Sequence, residues 1–237
     1  LSRPEYLKNL SENHKIIGIT GTHGKTSTTA LLSHIFHFNN VNVSYLYGGI
    51  TTFNGIGGHY GDPDQPLILE TDEAFNTFEK IKISDLLVLN VDSDHLDYFK
   101  NLDNYRDAFY KVMKNVTDNL VINNDDLNIK AMKELKNPVS YGKDLSADFK
   151  VQSPGTFLYE NNKYEIKSDI IGDHFKSNML GAIILAFLNG IEIKDSLNAI
   201  ESFAGVKRRI ELIGISKGVL IYDDYGHHPT EMEATIT

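Results

Sequence analysis

Short apolar runs rich in β-branched residues alternate with helical patterns along the first half of the chain. Residues 16–20, IIGIT, form such a run, and a glycine-rich turn joins them to residues 26–38, where apolar side chains recur at helical spacing. Further strand-like runs lie at residues 41–46, 67–69, 86–91 and 120–122. A helical pattern around residues 105–113 precedes the last of them. Strands that alternate with helices predict an α/β fold with a mostly parallel sheet flanked by helices.

A different pattern begins at residue 148. Aromatic and β-branched residues lie among polar ones as far as residue 171, and Asn161 and Asn162 give a turn signal. We therefore predict a small antiparallel β portion, as an insertion or at an edge of the sheet. Helical patterns follow at residues 177–188 and 194–203, and short strand patterns at residues 209–213 and 219–222. The last strand either forms a sheet edge or opens a second, truncated domain.

Composition narrows the classes of function. The chain has 237 residues, no cysteine, and a formal net charge of −9 from 23 basic and 32 acidic residues. Without cysteine there is no disulfide, thiolate metal site or cysteine nucleophile, and the acidic balance argues against nucleic acid and anionic membranes as partners. The longest apolar stretch, residues 179–188, falls well short of the ~20 residues that cross a bilayer, and no signal peptide is visible, so we predict a cytoplasmic protein. Any phosphate ligand must be bound by a local cluster of donors.

The strongest local signal is the segment GTHGKT, which lies between the strand at 16–20 and the helix at 26–38. Backbone N–H groups of such a loop converge on phosphate oxygens, while Lys25 reaches the β- and γ-phosphates and the Thr26 hydroxyl binds magnesium. The strict Walker pattern requires glycine where this chain has Ile19. We predict a variant phosphate-binding loop; the alternative is a glycine-rich turn with an incidental lysine. The residues predicted to bind phosphate are Gly21, Thr22, His23, Gly24, Lys25 and Thr26.

Two acidic clusters follow two of the predicted strands. The segment ETDE follows the strand at 67–69, and DSDHLD, which contains His95, follows the strand at 86–91. Open α/β sheets bind ligands at the carboxyl ends of their strands. Carboxylate oxygens suit Mg²⁺, and a second ion could accept an imidazole. Each cluster alone is typical of a solvated loop, but their repetition downstream of a phosphate loop predicts metal-assisted chemistry.

In this order, the segments GTHGKT, ETDE, NVDSDHLDYF, GDHFKSN, GVKRR and YDDYGHHPTE resemble those of the Mur ligases, the ATP-dependent amide-forming enzymes of peptidoglycan synthesis. The match is closest to the branch that uses ATP and Mg²⁺ to join L-alanine to UDP-N-acetylmuramate through an acyl phosphate. The resemblance implies that residues 1–214 form the central ATP-binding domain, with residues 1–14 as a linker from an N-terminal domain. It also implies that residues 215–237 begin a truncated, Rossmann-like C-terminal domain. The UDP-binding domain and most of the amino-acid-binding domain then lie outside this sequence.

The resemblance assigns the phosphate end of the site to four residues. Lys25 and Thr26 handle phosphate and magnesium, Glu70 matches the family's magnesium-binding glutamate, and His95 matches its metal-binding histidine. Lys25, Glu70 and His95 are expected to be catalytic, and Thr26, Glu70 and His95 to bind metal. The family's acidic segment usually reads EADESD where this chain has ETDEAF, so the resemblance gives no role to the acidic residues after Glu70.

The resemblance also assigns residues to the end of the site that binds the nucleoside. His174 and Asn178 match residues that contact adenine, and Asp224 matches an aspartate that binds ribose. Either Arg208 or Arg209 matches the arginine before the domain hinge. We place Arg208 with the catalytic residues and Arg209 with the nucleotide ligands, and leave open which of the two contacts the nucleotide.

Two other functions stay open from the sequence. One is the murein-peptide recycling ligase, which attaches a tripeptide to the same UDP-sugar; Tyr225 and Gly226 fit the alanine branch better. The other is a nucleotide-binding module that is inactive as a ligase in this truncated form.

Overall fold

A computed structural model describes residues 2–51, 55–74, 77–92, 96–132, 135–226 and 232. Its helices are α1 Arg3–Asn13, α2 Lys25–Phe38, α3 Leu96–Phe99, α4 Leu102–Lys114, α5 Leu127–Lys130, α6 Asp173–Leu188 and α7 Ile193–Glu201. Its strands are β1 Ile16–Thr20, β2 Ser44–Leu46, β3 Gly58–His59, β4 Leu67–Glu70, β5 Asp85–Val88, β6 Leu120–Asn123, β7 Val139–Gly142, β8 Phe149–Ser153, β9 Thr156–Tyr159, β10 Asn162–Glu165, β11 Glu211–Ser216 and β12 Val219–Asp223. A 3₁₀ turn lies at Phe78–Lys80.

Strands β1 to β10 form one sheet in the order β10-β9-β8-β7-β6-β5-β1-β4-β2-β3. Every pair from β2 to β8 in this order is parallel, whereas β3, β9 and β10 add antiparallel strands at the two edges. The predicted mostly parallel sheet is therefore confirmed. The antiparallel portion predicted at residues 148–171 is also confirmed, and it lies at an edge of the sheet.

The central strands of the sheet are buried on both faces. In β1, Ile17 and Ile19 face a core that they share with α2, α6 and α7. Ile16 faces a second core, built with α4 and with Leu7 of α1. Successive side chains of a strand point to opposite faces, so a continuous apolar run such as IIGIT supplies both cores. That is the pattern expected of a parallel strand covered on two sides.

The strand predicted at residues 86–91 has different bounds in the structure and a buried charge at its start. Strand β5 spans Asp85–Val88, and the carboxylate of Asp85 is fully buried. Its Oδ1 accepts hydrogen bonds from the backbone N–H and the side-chain amide of Asn119, at 3.1 and 2.6 Å, and Lys15 Nζ lies 2.9 Å from Oδ2. These partners satisfy a buried charge, and they come from distant parts of the chain.

The structure adds detail at both ends of the chain. Residues 3–13, within the linker that the resemblance implies, form helix α1, and Ser11 Oγ accepts a hydrogen bond from Lys82 N at 3.1 Å. The last predicted strand, β12, pairs antiparallel with β11 in a separate two-stranded sheet. The apolar side chains of this hairpin are between 38% and 67% exposed. The division into domains and the Rossmann-like continuation stay predictions.

The topology places one loop at the centre of the carboxyl edge. Strand β1 lies between β4 and β5, and the segment GTHGKT leads from β1 into α2. This is the kind of position at which doubly wound sheets bind ligands. Among the helices that the structure describes, none is both long and apolar enough to cross a membrane.

The antiparallel edge can be tested through Phe149 in β8. Its ring is 1% exposed and stacks on that of Tyr159 in β9, with centroids 4.1 Å apart. Phe149→Ala should lower the free energy of unfolding by about 3–5 kcal/mol, because it removes a fully buried aromatic side chain. The control Leu145→Ala, at an 85% exposed position, should change it by less than about 0.5 kcal/mol. Urea denaturation measures the change in the free energy of unfolding for each variant. Equal changes in the two variants would contradict the described packing at this edge of the sheet.

Candidate functional site

The loop after β1 has a backbone that requires glycine at Gly24. This residue caps α2 with φ 85°, and a Cβ at this position would collide with the side-chain amide of Asn178. Gly21 also has positive φ, 144°, and a Cβ there would lie 3.0 Å from Leu89 Cβ. The segment thus turns sharply from strand to helix and brings α6 close to the helix N-terminus. Backbone N–H groups at such a terminus attract anions.

The phosphate-loop lysine is half of a buried ion pair. Lys25 Nζ donates to the carbonyl oxygens of Gly21 at 2.7 Å and Thr22 at 3.2 Å, and it lies 3.1 and 3.0 Å from the two carboxylate oxygens of Glu73. The Glu73 side chain is fully buried, and the Tyr105 hydroxyl donates to it at 3.3 Å. Burial raises the pKa of Glu73, and the Lys25 ammonium opposes that rise. Glu73 therefore has a specific role that the sequence did not reveal.

Thr26 and Glu70 meet beside the loop. The Thr26 hydroxyl donates to Glu70 Oε1 at 2.9 Å, and the backbone N–H of Gly48 donates to Oε2 at 2.7 Å. Magnesium prefers oxygen ligands and usually keeps water or phosphate oxygens in its remaining positions, so this pair fits a site completed by a nucleotide. Within the described ranges, no three histidine or acidic side chains form a metal-binding group. His95, the other predicted metal ligand, lies outside the described residues.

The predicted nucleoside residues line one cavity together with the loop. His174 and Asn178 lie on the first turns of α6, and Asp224 follows β12. Burial lowers the pKa of His174, and the negative charge of Asp224 opposes that effect. Asp224 Oδ2 also accepts a hydrogen bond from Ile210 N at 2.7 Å, which joins the segment after β12 to the segment before β11.

Of the two adjacent arginines, one lines the cavity and the other does not. Arg209 lines the same cavity as His174 and Asp224. Arg208 does not line it; its side chain is 60% exposed, and its Nε lies 3.7 Å from Asp223 Oδ2. The Tyr225 ring lies about equally far from both guanidinium groups, at 5.0 and 5.2 Å.

A cavity of about 540 Å³ connects these groups, a size typical of sites for small molecules. The predicted residues that line it are Thr22, His23, Gly24, Lys25, Thr26, Glu70, His174, Asn178, Arg209 and Asp224. Gly21 and Arg208 are not among the lining residues. Asp92, from the second acidic cluster, also lines it. The lining residues that received no role from the sequence are Ser27, Asn90, Val91, Asp125, Asp126, Leu127, Asn128, Phe175 and Ile210. Lining residues 90–92 follow β5, and lining residues 125–128 follow β6. Open α/β sheets bind ligands at the carboxyl ends of their strands, and this rule, which drew attention to the cluster at Glu70, could have found them.

Comparison with known proteins agrees with the fold and the loop. The sequence matches the Mur ligase middle domain over residues 19–186. It is 36% identical to a UDP-N-acetylmuramate–L-alanine ligase from Clostridium botulinum over 100% of this chain and 54% of the relative, and 34% identical to one from Dictyoglomus turgidum over the same shares. The chain thus spans about half the length of these curated relatives.

The fold is also similar to those of ligases whose structures have been solved. The crystal structure of a UDP-N-acetylmuramate–alanine ligase from Thermotoga maritima is similar, with a TM-score of 0.84 and 26% identity over 99% of this chain and 56% of that one. A murein peptide ligase from Psychrobacter arcticus has a TM-score of 0.75 at 24% identity, over 98% of this chain and 55% of that one. The second likeness shows a common fold alone.

The buried ion pair predicts that Lys25 supports the fold as well as any ligand. Lys25→Met should destabilise the chain by about 3 kcal/mol, because it leaves the Glu73 carboxylate buried without its cation. Adding Glu73→Gln to this variant should restore most of the loss, since the amide carries no charge. Urea denaturation of the two single variants and the double variant gives the coupling.

Two controls sharpen this experiment. Lys194→Met, at an exposed position of α7, should change stability by less than about 0.5 kcal/mol. An unpaired buried carboxyl group has a raised pKa in the folded state, so the loss in Lys25→Met should be larger at about pH 8 than at about pH 5. Additive effects of the two substitutions would show that Lys25 and Glu73 do not depend on each other.

Proposed function

The chain belongs to the Mur ligase family, and we propose that it is the nucleotide-binding part of an ATP-dependent ligase that joins L-alanine to UDP-N-acetylmuramate. The observation that carries this proposal is the single cavity lined by Lys25, by the Thr26–Glu70 pair and by the His174 and Asp224 side chains. Relatives over the whole chain are named for that reaction. ATP and UDP-sugars are cytoplasmic metabolites, so we expect the reaction in the cytoplasm.

ATP would lie along the cavity with its phosphates at the N-terminus of α2. The helix dipole and the Lys25 ammonium attract the phosphates, although Lys25 must exchange one of its present acceptors to reach them. Thr26 and Glu70 would hold Mg²⁺, which offsets the negative charge of the phosphates. His174, Asn178 and Asp224 would contact the nucleoside. Arg209, rather than Arg208, is the arginine that we expect at the nucleotide.

The proposed reaction has two steps. An oxygen of the muramate carboxylate forms a bond to the γ-phosphorus as the bond to ADP breaks, which gives an acyl phosphate. The amine of L-alanine then attacks the acyl carbon; inorganic phosphate leaves, the amine loses a proton, and an amide remains. Both reactants of the first step are anions, so catalysis depends on positioning and on neutralisation of charge. Lys25 is the residue of this chain best placed to supply that charge.

The metal assignment predicts a magnesium-dependent loss of affinity. At about 1 mM Mg²⁺, Glu70→Gln should bind ATP at least about tenfold more weakly than the unsubstituted chain, because it removes a charged oxygen ligand. With the metal removed by EDTA, the two proteins should bind ATP alike. Isothermal titration calorimetry measures both, with Glu201→Gln, at an exposed position, as control. If the ATP affinity of Glu70→Gln depends on magnesium as strongly as that of the unsubstituted chain, Glu70 does not bind the ion.

The choice of substrate is tested in the full-length enzyme. Release of phosphate from ATP should require both UDP-N-acetylmuramate and L-alanine, and mass spectrometry should detect the alanyl product. Replacing alanine by the murein tripeptide should abolish turnover. Turnover with the tripeptide and none with alanine would instead identify the recycling ligase, and ATP binding without turnover in either case would favour a binding module.

A further inference from the structure

We propose that Asn90 is a positioning residue that sets the direction of a phosphate-binding amide in the loop after β1; the inference rests on the proposed binding of ATP. Asn90 lies two residues beyond the end of β5, and no role was assigned to it from the sequence. Its side-chain amide is hydrogen-bonded to the backbone N–H and to the backbone carbonyl of one loop residue, His23. The His23 N–H donates to Asn90 Oδ1 at 2.8 Å, and Asn90 Nδ2 donates to the His23 carbonyl oxygen at 3.0 Å.

The neighbouring loop residue is held from the same segment. The Thr22 N–H donates to the Asn90 carbonyl oxygen at 3.2 Å, and the Thr22 hydroxyl accepts a hydrogen bond from Asp92 N at 2.8 Å. The N–H groups of Thr22 and His23 are therefore used within the protein. We infer that the backbone donors for phosphate begin at Gly24, at the N-terminus of α2.

The bond to the His23 carbonyl fixes the orientation of the next amide. The C=O of His23 and the N–H of Gly24 belong to one peptide unit, which is planar and trans, so the two groups point in opposite directions. Because Asn90 holds the carbonyl on the side of β5, the Gly24 N–H points away from β5. Gly24 itself lines the cavity. An asparagine amide has both a donor and an acceptor, so it can hold the two groups of His23 at once.

This arrangement compensates for a departure in the sequence. The loop has Ile19 where the strict Walker pattern has glycine, and that residue is buried in strand β1. The position at which the Walker pattern has its first glycine therefore still belongs to the strand in this chain, and the loop that follows is held by hydrogen bonds to the segment after β5. We therefore expect the loop to bind phosphate more weakly when the bonds to Asn90 are lost.

The test separates phosphate from nucleoside binding. Calorimetry should show that Asn90→Ala binds ATP about tenfold or more weakly than the unsubstituted chain. Its affinity for adenosine, followed by NMR titration, should change less than about twofold, because the nucleoside contacts lie elsewhere. The matched control is Asn39→Ala: this asparagine at the end of α2 also donates to a backbone carbonyl, that of Ile35 at 2.8 Å, but does not line the cavity. It should leave both affinities unchanged.

Each outcome bears on one of the two proposals. If the unsubstituted chain does not bind ATP, the proposed function is wrong and the role of Asn90 falls with it. If the unsubstituted chain binds ATP and folded Asn90→Ala binds it equally well, or loses ATP and adenosine affinity to the same degree, the positioning role alone is wrong. Should Asn90→Ala not fold, Asn90→Gln keeps the amide but moves it by one methylene. It should show the same selective loss of ATP affinity.

Discussion

Burial of the central strands on both faces of the sheet is the constraint on which the rest of the molecule depends. Apolar side chains from β1, β4 and β5 fill two cores, and such interiors accept polar groups only when these are hydrogen-bonded or paired. Polar chemistry is therefore confined to the ends of the strands. The loop after β1, Glu70 at the end of β4 and Asn90 after β5 meet there because β1 lies between β4 and β5.

The same constraint governs the charge of the site. In a chain of net charge −9, a phosphate-binding lysine has to act locally, and here its nearest charged neighbour is a buried carboxylate. The Lys25–Glu73 pair places the ammonium at the base of the cavity and makes the stability of the site depend on both residues. A loss of ATP binding in a Lys25 variant would therefore reflect the fold as well as the ligand.

The geometry of the phosphate loop depends partly on local sequence and partly on contacts with distant residues. GTHGKT between a strand and a helix was sufficient to predict a turn at this place, and the positive φ of Gly24 explains why glycine is required there. The motif does not specify which amides face a ligand. That choice depends on Asn90, which lies 67 residues from His23 in the sequence.

The sequence by itself determined the mostly parallel sheet, its antiparallel edge and the place of the phosphate loop, because these follow from the spacing of apolar residues and from glycines within short segments. It also indicated Lys25, Thr26 and Glu70 as neighbours, because the carboxyl ends of parallel strands share one edge of a sheet. Only the tertiary structure decided that Asp85 begins a strand, that Glu73 pairs with Lys25, that Arg209 rather than Arg208 lines the cavity, and that Asn90 holds the loop. Each of these depends on partners brought together by folding, as Lys25 and Glu73 are across 48 residues, and no local pattern encodes such a contact.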